Sequence, residues 1–211
     1  MTRKKPSLSS LTPLMLVLTG TGTACSSQSF QVGSLSDTDG GDAGLVGDDG
    51  GALASIDPIA LNDAWTYDVT VAGTYPACTN GSGVASVTQH STIDGKDAFY
   101  VSSFCAALGS FWYSADGDRV YEYDGTNWLL ALDAPVEDAH TWSNGSETFV
   151  WKKIGAIAVP AGNFADCWEV DDQAAPTYYA VTFCRGVGPV KWHYRDASEN
   201  GYDAVLTNKN F

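Results

Sequence analysis

From Asp57 to Phe211, short runs of alternating apolar and polar residues are separated by turn dipeptides. Trp65, Tyr67, Val69 and Val71 alternate with Thr66, Asp68 and Thr70. That period of two places the apolar set on one face of a half-buried strand. Asp94-Gly95 divides STI from DAFYVSSF, Asp116-Gly117 divides SFWYSA from DRVYEY, and Asp124-Gly125 leads into TNWLLAL. Asp-Gly between such runs marks a hairpin, because both residues tolerate positive φ. Asn80-Gly81, Asn144-Gly145 and Asn200-Gly201 mark further turns, and no segment carries the period of an amphipathic helix. The pattern predicts an all-β domain over 57–211, a single antiparallel meander of about ten strands. The sheet is expected to be strongly curved or closed into a barrel, since closure removes exposed edges.

The stretch AIAVPAGNFADCWEV is the most patterned part of the domain. Pro160 fixes φ for the second position of a turn and Gly162 suits a left-handed residue, which predicts a three-residue hairpin loop with a bulge. Beyond it Phe164, Trp168 and Val170 share one face, as do Tyr179, Val181 and Phe183 on the next strand. Cys167 and Cys184 then fall together on the opposite face of that hairpin, where a cross-strand bridge is reasonable. By elimination, Cys78 pairs with Cys105.

Ahead of the domain the chain changes character twice. Arg3, Lys4 and Lys5 precede a short apolar run, Leu11 to Leu18, and small residues up to Ala24. Residues 1–24 therefore form an export signal, too short in its apolar part to span a bilayer. Residues 25–56 contain SDTDGGDAGLVGDDGG, with five aspartates and no basic residue, and read as a disordered acidic tether. With Cys25 the chain has five cysteines, an odd number for an exported protein. The stretch GTGTACSSQ resembles a bacterial lipobox, with Gly22 where that pattern prefers Leu, and implies that Cys25 carries lipid. Lipidation leaves four cysteines to pair, whereas plain secretory cleavage leaves an odd thiol. Ser26 after the cysteine resembles the signal for onward transport to the outer membrane, facing the periplasm or the cell surface.

VPAGNFADCWEV followed by YYAVTFCRGVGPVKW resembles the V-P-A-G-x-F … G-V-G-x-V pattern of bacterial envelope domains, often lipoproteins, whose curved sheet is similar to lipoprotein-carrier (LolA/LolB-like) folds. Arg185 stands where relatives tend to have Pro before Gly-Val-Gly. The resemblance implies a β-domain in the cell envelope and supplies no catalytic residues.

Charge narrows the partners. The chain has net charge −14, and removal of Arg3, Lys4 and Lys5 with the signal leaves eight basic residues against 25 acidic, or −17. Such a surface repels phosphate backbones, so no nucleic-acid partner is expected, and the membrane is reached only through the Cys25 anchor. His90, His140 and His193 lie in separate segments with no nucleophile or metal motif around them. No catalytic residue, metal or cofactor is assigned. Glu122, Glu137, Asp138, Glu147 and Glu169 are the acids available to a glycosidase-like pair. The remaining signal is aromatic: seven Trp and ten Tyr, among which Trp112, Trp128, Trp168 and Trp192 are the candidate binding residues. Two non-catalytic roles follow, a concave face holding a hydrophobic or lipid-like ligand and an exposed surface stacking on carbohydrate. A hydrolase using paired carboxylates is the catalytic alternative.

Overall fold

The computed structural model describes residues 53–145, 147–172 and 177–211. The signal 1–24, Cys25 and the acidic segment up to residue 52 lie outside the described residues. Twelve strands follow one another: β1 (Ala64–Ala72), β2 (Gly81–Ile93), β3 (Lys96–Ser102), β4 (Ser110–Asp116), β5 (Arg119–Tyr123), β6 (Trp128–Leu132), β7 (Thr141–Asn144), β8 (Glu147–Val159), β9 (Gly162–Asp172), β10 (Tyr178–Cys184), β11 (Gly188–Arg195) and β12 (Gly201–Lys209). Strands β5, β6 and β7 have only five, five and four residues, too few to display alternation distinctly. The sequence pattern undercounts for that reason. A single 3-10 turn, Ala106–Leu108, is the one helical element among the described residues.

The strands form one antiparallel sheet in the order β6-β5-β4-β3-β2-β1-β12-β11-β10-β9-β8-β7. Every neighbour is a sequence neighbour except β1 and β12, which pair from Trp65↔Lys209 to Ala72↔Gly201. The edge strands β6 and β7 approach each other, so the sheet is nearly closed into a barrel. Trp65, Tyr67 and Val69 turn inward and are buried, while Asp68 and Thr70 between them face water. Apolar inside and polar outside is the reverse of a lipid-facing barrel.

Two buried clusters form in the interior, and Ile59 and Trp192 pack against both. One gathers Trp65, Tyr67, Val190, Ala204 and Leu206 with all four bridged cysteines. The other centres on Trp151, fully buried, with Val120, Leu132, Trp142, Val170 and Phe183 around it. The Trp151 indole N–H donates to the Asp133 carbonyl at 2.8 Å, satisfying its one polar atom.

Turn chemistry departs from expectation at two loops. Val159 pairs with Gly162, leaving Pro160-Ala161 as a two-residue loop rather than a three-residue loop with a bulge. The irregularities of that hairpin lie further along β8, on either side of Gly155, whose φ is +79°. Asp116 pairs with Arg119, so the loop is Gly117-Asp118, one residue beyond the Asp-Gly dipeptide. Gly117 takes φ of +61° as the leading loop residue, which frees the Asp118 side chain for another role.

Two disulfides staple the molecule. Cys167–Cys184 joins directly paired positions of β9 and β10. Cys78–Cys105 ties the loop after β1 to the loop after β3. Next to it, Phe104 reaches the rings of Tyr67, Trp192 and Tyr202, with centroids 4.9, 5.6 and 5.7 Å away. Gly83 lets this loop approach, because a Cβ there would meet the Phe104 carbonyl oxygen at 2.3 Å.

A strap ahead of β1 packs against one end of the barrel. Ile56 is fully buried in the Trp151 cluster, and its N–H donates to Asp118 at 2.9 Å. The Gly186 N–H donates to the Ser55 carbonyl at 2.8 Å. Ile56, one residue ahead of Asp57, thus packs into the core.

Candidate functional site

The barrel interior holds a partly open lumen of about 770 Å³. This lies within the range of small-molecule sites. Inward positions of most strands contribute: Tyr67 from β1, Val101 from β3, Phe111 and Tyr113 from β4, Leu129 from β6, Phe149 from β8, Tyr179 and Val181 from β10, and Trp192 from β11. The alternation that buries one face of each strand therefore builds a continuous apolar and aromatic wall. The rings on it are held by one another. Trp192 lies between Phe104 and Tyr179, at 5.6 and 6.2 Å.

The charged groups of the lumen are acidic, and Ser102, Ser103, Asn144 and tyrosine residues line it beside them. At the strapped end lies Asp57, the residue after Ile56, and burial pushes its carboxyl up to about 7. A Cβ on Gly188 would come within 2.7 Å of its Oδ1, so only a glycine leaves room for the carboxyl there. Towards the other end, Glu122, Glu147 and Asp172 line the wall, with Glu147 exposed at the rim. The Tyr113 hydroxyl donates to Glu122 Oε2 at 3.1 Å. Burial raises the Glu122 carboxyl, and the Tyr113 hydrogen bond offsets part of that effect. Burial also holds the Tyr179 phenol well above its ordinary value, reinforced by Tyr202, Glu122, Glu147 and Asp172 nearby. None of the lumen-lining residues is Lys, Arg or His.

The strapped end is clasped by one cation. The Arg185 Nη1 donates to both Asp118 oxygens at 2.9 Å and to the Ala54 carbonyl at 3.0 Å. Its Nε lies 3.1 Å from Asp166 Oδ2. Asp118 in turn accepts the Ile56 N–H, so strap, β4–β5 loop and β10–β11 loop meet at one guanidinium.

The four tryptophans singled out from the sequence do not form one surface. Trp192 alone of the four lines the lumen. Trp168 is buried, its indole N–H donating to Asp166 at 2.7 Å, with Lys153 Nζ 5.5 Å from the ring centroid. Trp112 and Trp128 lie on the outer face, alternating with the inward Phe111, Tyr113 and Leu129. There Tyr100 and Trp112 touch at 5.1 Å, Trp112 pairs across strands with Tyr123, and Tyr123 touches Trp128 at 5.1 Å. These form a half-buried aromatic row across β3 to β6. Of the acids considered for a carboxylate pair, Glu122 and Glu147 line the lumen, while Glu137, Asp138 and Glu169 do not. Among the described residues no group of three His, Cys, Asp or Glu side chains is placed to hold a metal. His90, His140 and His193 each contact an aspartate: Asp97, Asp133 and Asp203 respectively.

No protein-family model and no curated protein matches the sequence. Among solved structures, the fold is distantly similar to that of a "putative lipoprotein" from Parabacteroides distasonis. Identity is 12%, the match covers 75% of this chain and 99% of that one, and the TM-score is 0.42. It is similarly close to an exported protein with a YmcC-like fold from Bacteroides fragilis, described as "putative". Identity is again 12%, coverage 75% and 100%, and the TM-score 0.42.

Asp57 and Arg185 add to the site's electrostatics, and the sequence alone assigned neither a role in it. Asp57 stands in an ordinary Asp-Pro pair, and the role of Arg185 depends on acids 67 and 19 positions before it.

Proposed function

We propose that the domain is a non-catalytic binding module of the bacterial envelope that holds an apolar or lipid-like small molecule in its lumen. The partly open volume of about 770 Å³, walled by aromatic and aliphatic side chains from nearly every strand, carries this reading. A barrel that served only as a scaffold would fill its interior with side chains, as small barrels do. Native mass spectrometry of the exported Cys25→Ala protein, followed by organic extraction, tests it. The expected result is one apolar molecule retained per chain. Bare protein in every preparation, with no uptake of added apolar compounds, would count against the role.

The export signal, the cysteine parity and the acidic segment support an outer-membrane lipoprotein anchored through Cys25. Incorporation of labelled fatty acid into the wild-type chain should vanish in Cys25→Ala, and label surviving that change would remove the anchor.

The outer aromatic row favours a second reading, a carbohydrate-stacking surface at Trp112 and Trp128. Polysaccharide fragments should then shift tryptophan fluorescence, and a Trp112→Ala, Trp128→Ala double variant should abolish the shift.

A further inference from the structure

Trp65 and Trp192 both line the lumen, and only one of them has its polar atom satisfied. The Trp65 indole N–H donates to the Val187 carbonyl at 2.7 Å. The Trp192 indole nitrogen is buried, and among the described residues its N–H has no acceptor. The Tyr67 hydroxyl lies beside it but donates its own proton to the Pro189 carbonyl at 2.8 Å. The indole N–H does not meet the Tyr67 oxygen at hydrogen-bond geometry. Trp128 and Trp142 also have unpaired indole nitrogens, but neither ring lines the lumen. A buried donor left unpaired costs free energy, and native interiors rarely leave one so.

The place of this donor suits a ligand contact. Trp192 stands in the middle of β11, opposite Val181 of β10 and Ala204 of β12, and packs against both buried clusters. Its partner should be an uncharged oxygen. Burial raises the carboxyls of Asp57 and Glu122, so this interior disfavours negative charge. No Lys, Arg or His lines the wall to receive a ligand's carboxylate or phosphate. A carbonyl oxygen accepts the N–H without bringing a charge inside.

We propose that the lumen holds uncharged apolar molecules bearing a carbonyl oxygen, such as esters or ketones, with that oxygen accepting the Trp192 N–H and the apolar body along the aromatic wall. This rests on the lumen-binding function proposed above and names its ligand class. Phe104 and Tyr179 flank the indole at 5.6 and 6.2 Å. The ligand oxygen reaches the shielded nitrogen as one of these rings changes rotamer, a common adjustment on binding.

Three probes with one carbon skeleton test it: valerophenone, pentylbenzene and ω-phenylvalerate, titrated below their solubility limits into the full mature protein. The ketone has a carbonyl in place of one methylene of the hydrocarbon, and the acid has a carboxylate in place of its terminal methyl. In proton NMR of the wild type, the Trp192 indole proton should move downfield with valerophenone and not with pentylbenzene. Trp192→Phe keeps a ring and removes the N–H. There the ketone-to-hydrocarbon affinity ratio should fall about fivefold, while pentylbenzene binds within about twofold of its wild-type affinity. The carboxylate should bind about tenfold or more weakly than the ketone. An indole proton that responds alike to ketone and hydrocarbon, or a ratio unchanged in Trp192→Phe, would overturn the Trp192 contact. Carboxylate binding as tight as the ketone's would overturn the uncharged class. Failure of all three probes to bind would remove the lumen function itself. The proton shift stands without the variant should Trp192→Phe fold poorly.

Discussion

Asp57→Asn should stabilise the protein at neutral and alkaline pH, with little effect below about pH 4. The carboxyl is raised by burial from its ordinary 3.8 to about 7 in the folded chain. Between those values the folded state holds a proton that the unfolded state has released. Stability must therefore fall as pH rises from about 4 to about 7, and stay at the lower level above that. The shift corresponds to roughly 2–4 kcal/mol once water in the lumen is allowed for. Tyr67 and Tyr113 face the group, and both phenols are held above their ordinary value, so they stay neutral across this window. The amide keeps the shape and removes the charge. Urea denaturation at about pH 3.5 should give wild type and variant similar stabilities, and at pH 8 the variant should be more stable by about 2–4 kcal/mol. Equal stabilities at pH 8 would mean that Asp57 is solvated or partnered in the native state. A side chain that weakens the fold under neutral conditions has the profile of a binding residue rather than a structural one.

The second large effect is expected at Arg185. Its guanidinium is 11% exposed and joins Asp118, Asp166 and the Ala54 carbonyl. Arg185→Ala leaves Asp118 without its cation and removes a side chain that ties the strap to the β4–β5 loop. A loss of roughly 2–4 kcal/mol is expected, less than for a fully buried pair because Asp166 is 45% exposed. The damage should be local first. Hydrogen exchange at the Ile56 and Gly186 amides should speed up before the sheet amides do, because both depend on the strap staying docked. Arg185→Lys should recover only part of the loss, since an ammonium cannot span both carboxylates and the carbonyl in one plane. Uniform acceleration of exchange across the barrel would instead make Arg185 a general stability residue.

The difference between these two residues and the fold marks what local sequence can convey. Alternation in β1 and the turn signal at Asp94-Gly95 specify their own geometry, and both turn residues adopt positive φ, +50° and +79°. The all-β meander and its two disulfides follow from such local features. The strand order does not, because its centre depends on Trp65 meeting Lys209 across almost the whole domain. The lumen was legible only as a surplus of aromatics. Which rings line it was hidden at Trp112 and Trp128, where one position of shift in face separates the outer row from the inner wall. The Gly117-Asp118 loop shows the same limit: Asp-Gly announces a turn, and the strap's need for the Asp118 carboxylate sets its register.

The lumen's role as a ligand site is tested most directly by filling it. Ala131 lines the wall on β6, where a larger ring has open volume to enter. Calorimetric titration of the mature protein with decanol should show one molecule bound per chain. In Ala131→Trp the affinity should fall by about tenfold or more while the melting temperature moves by only a few degrees. Binding of equal strength in the filled and unfilled proteins would place the ligand elsewhere and contradict the account.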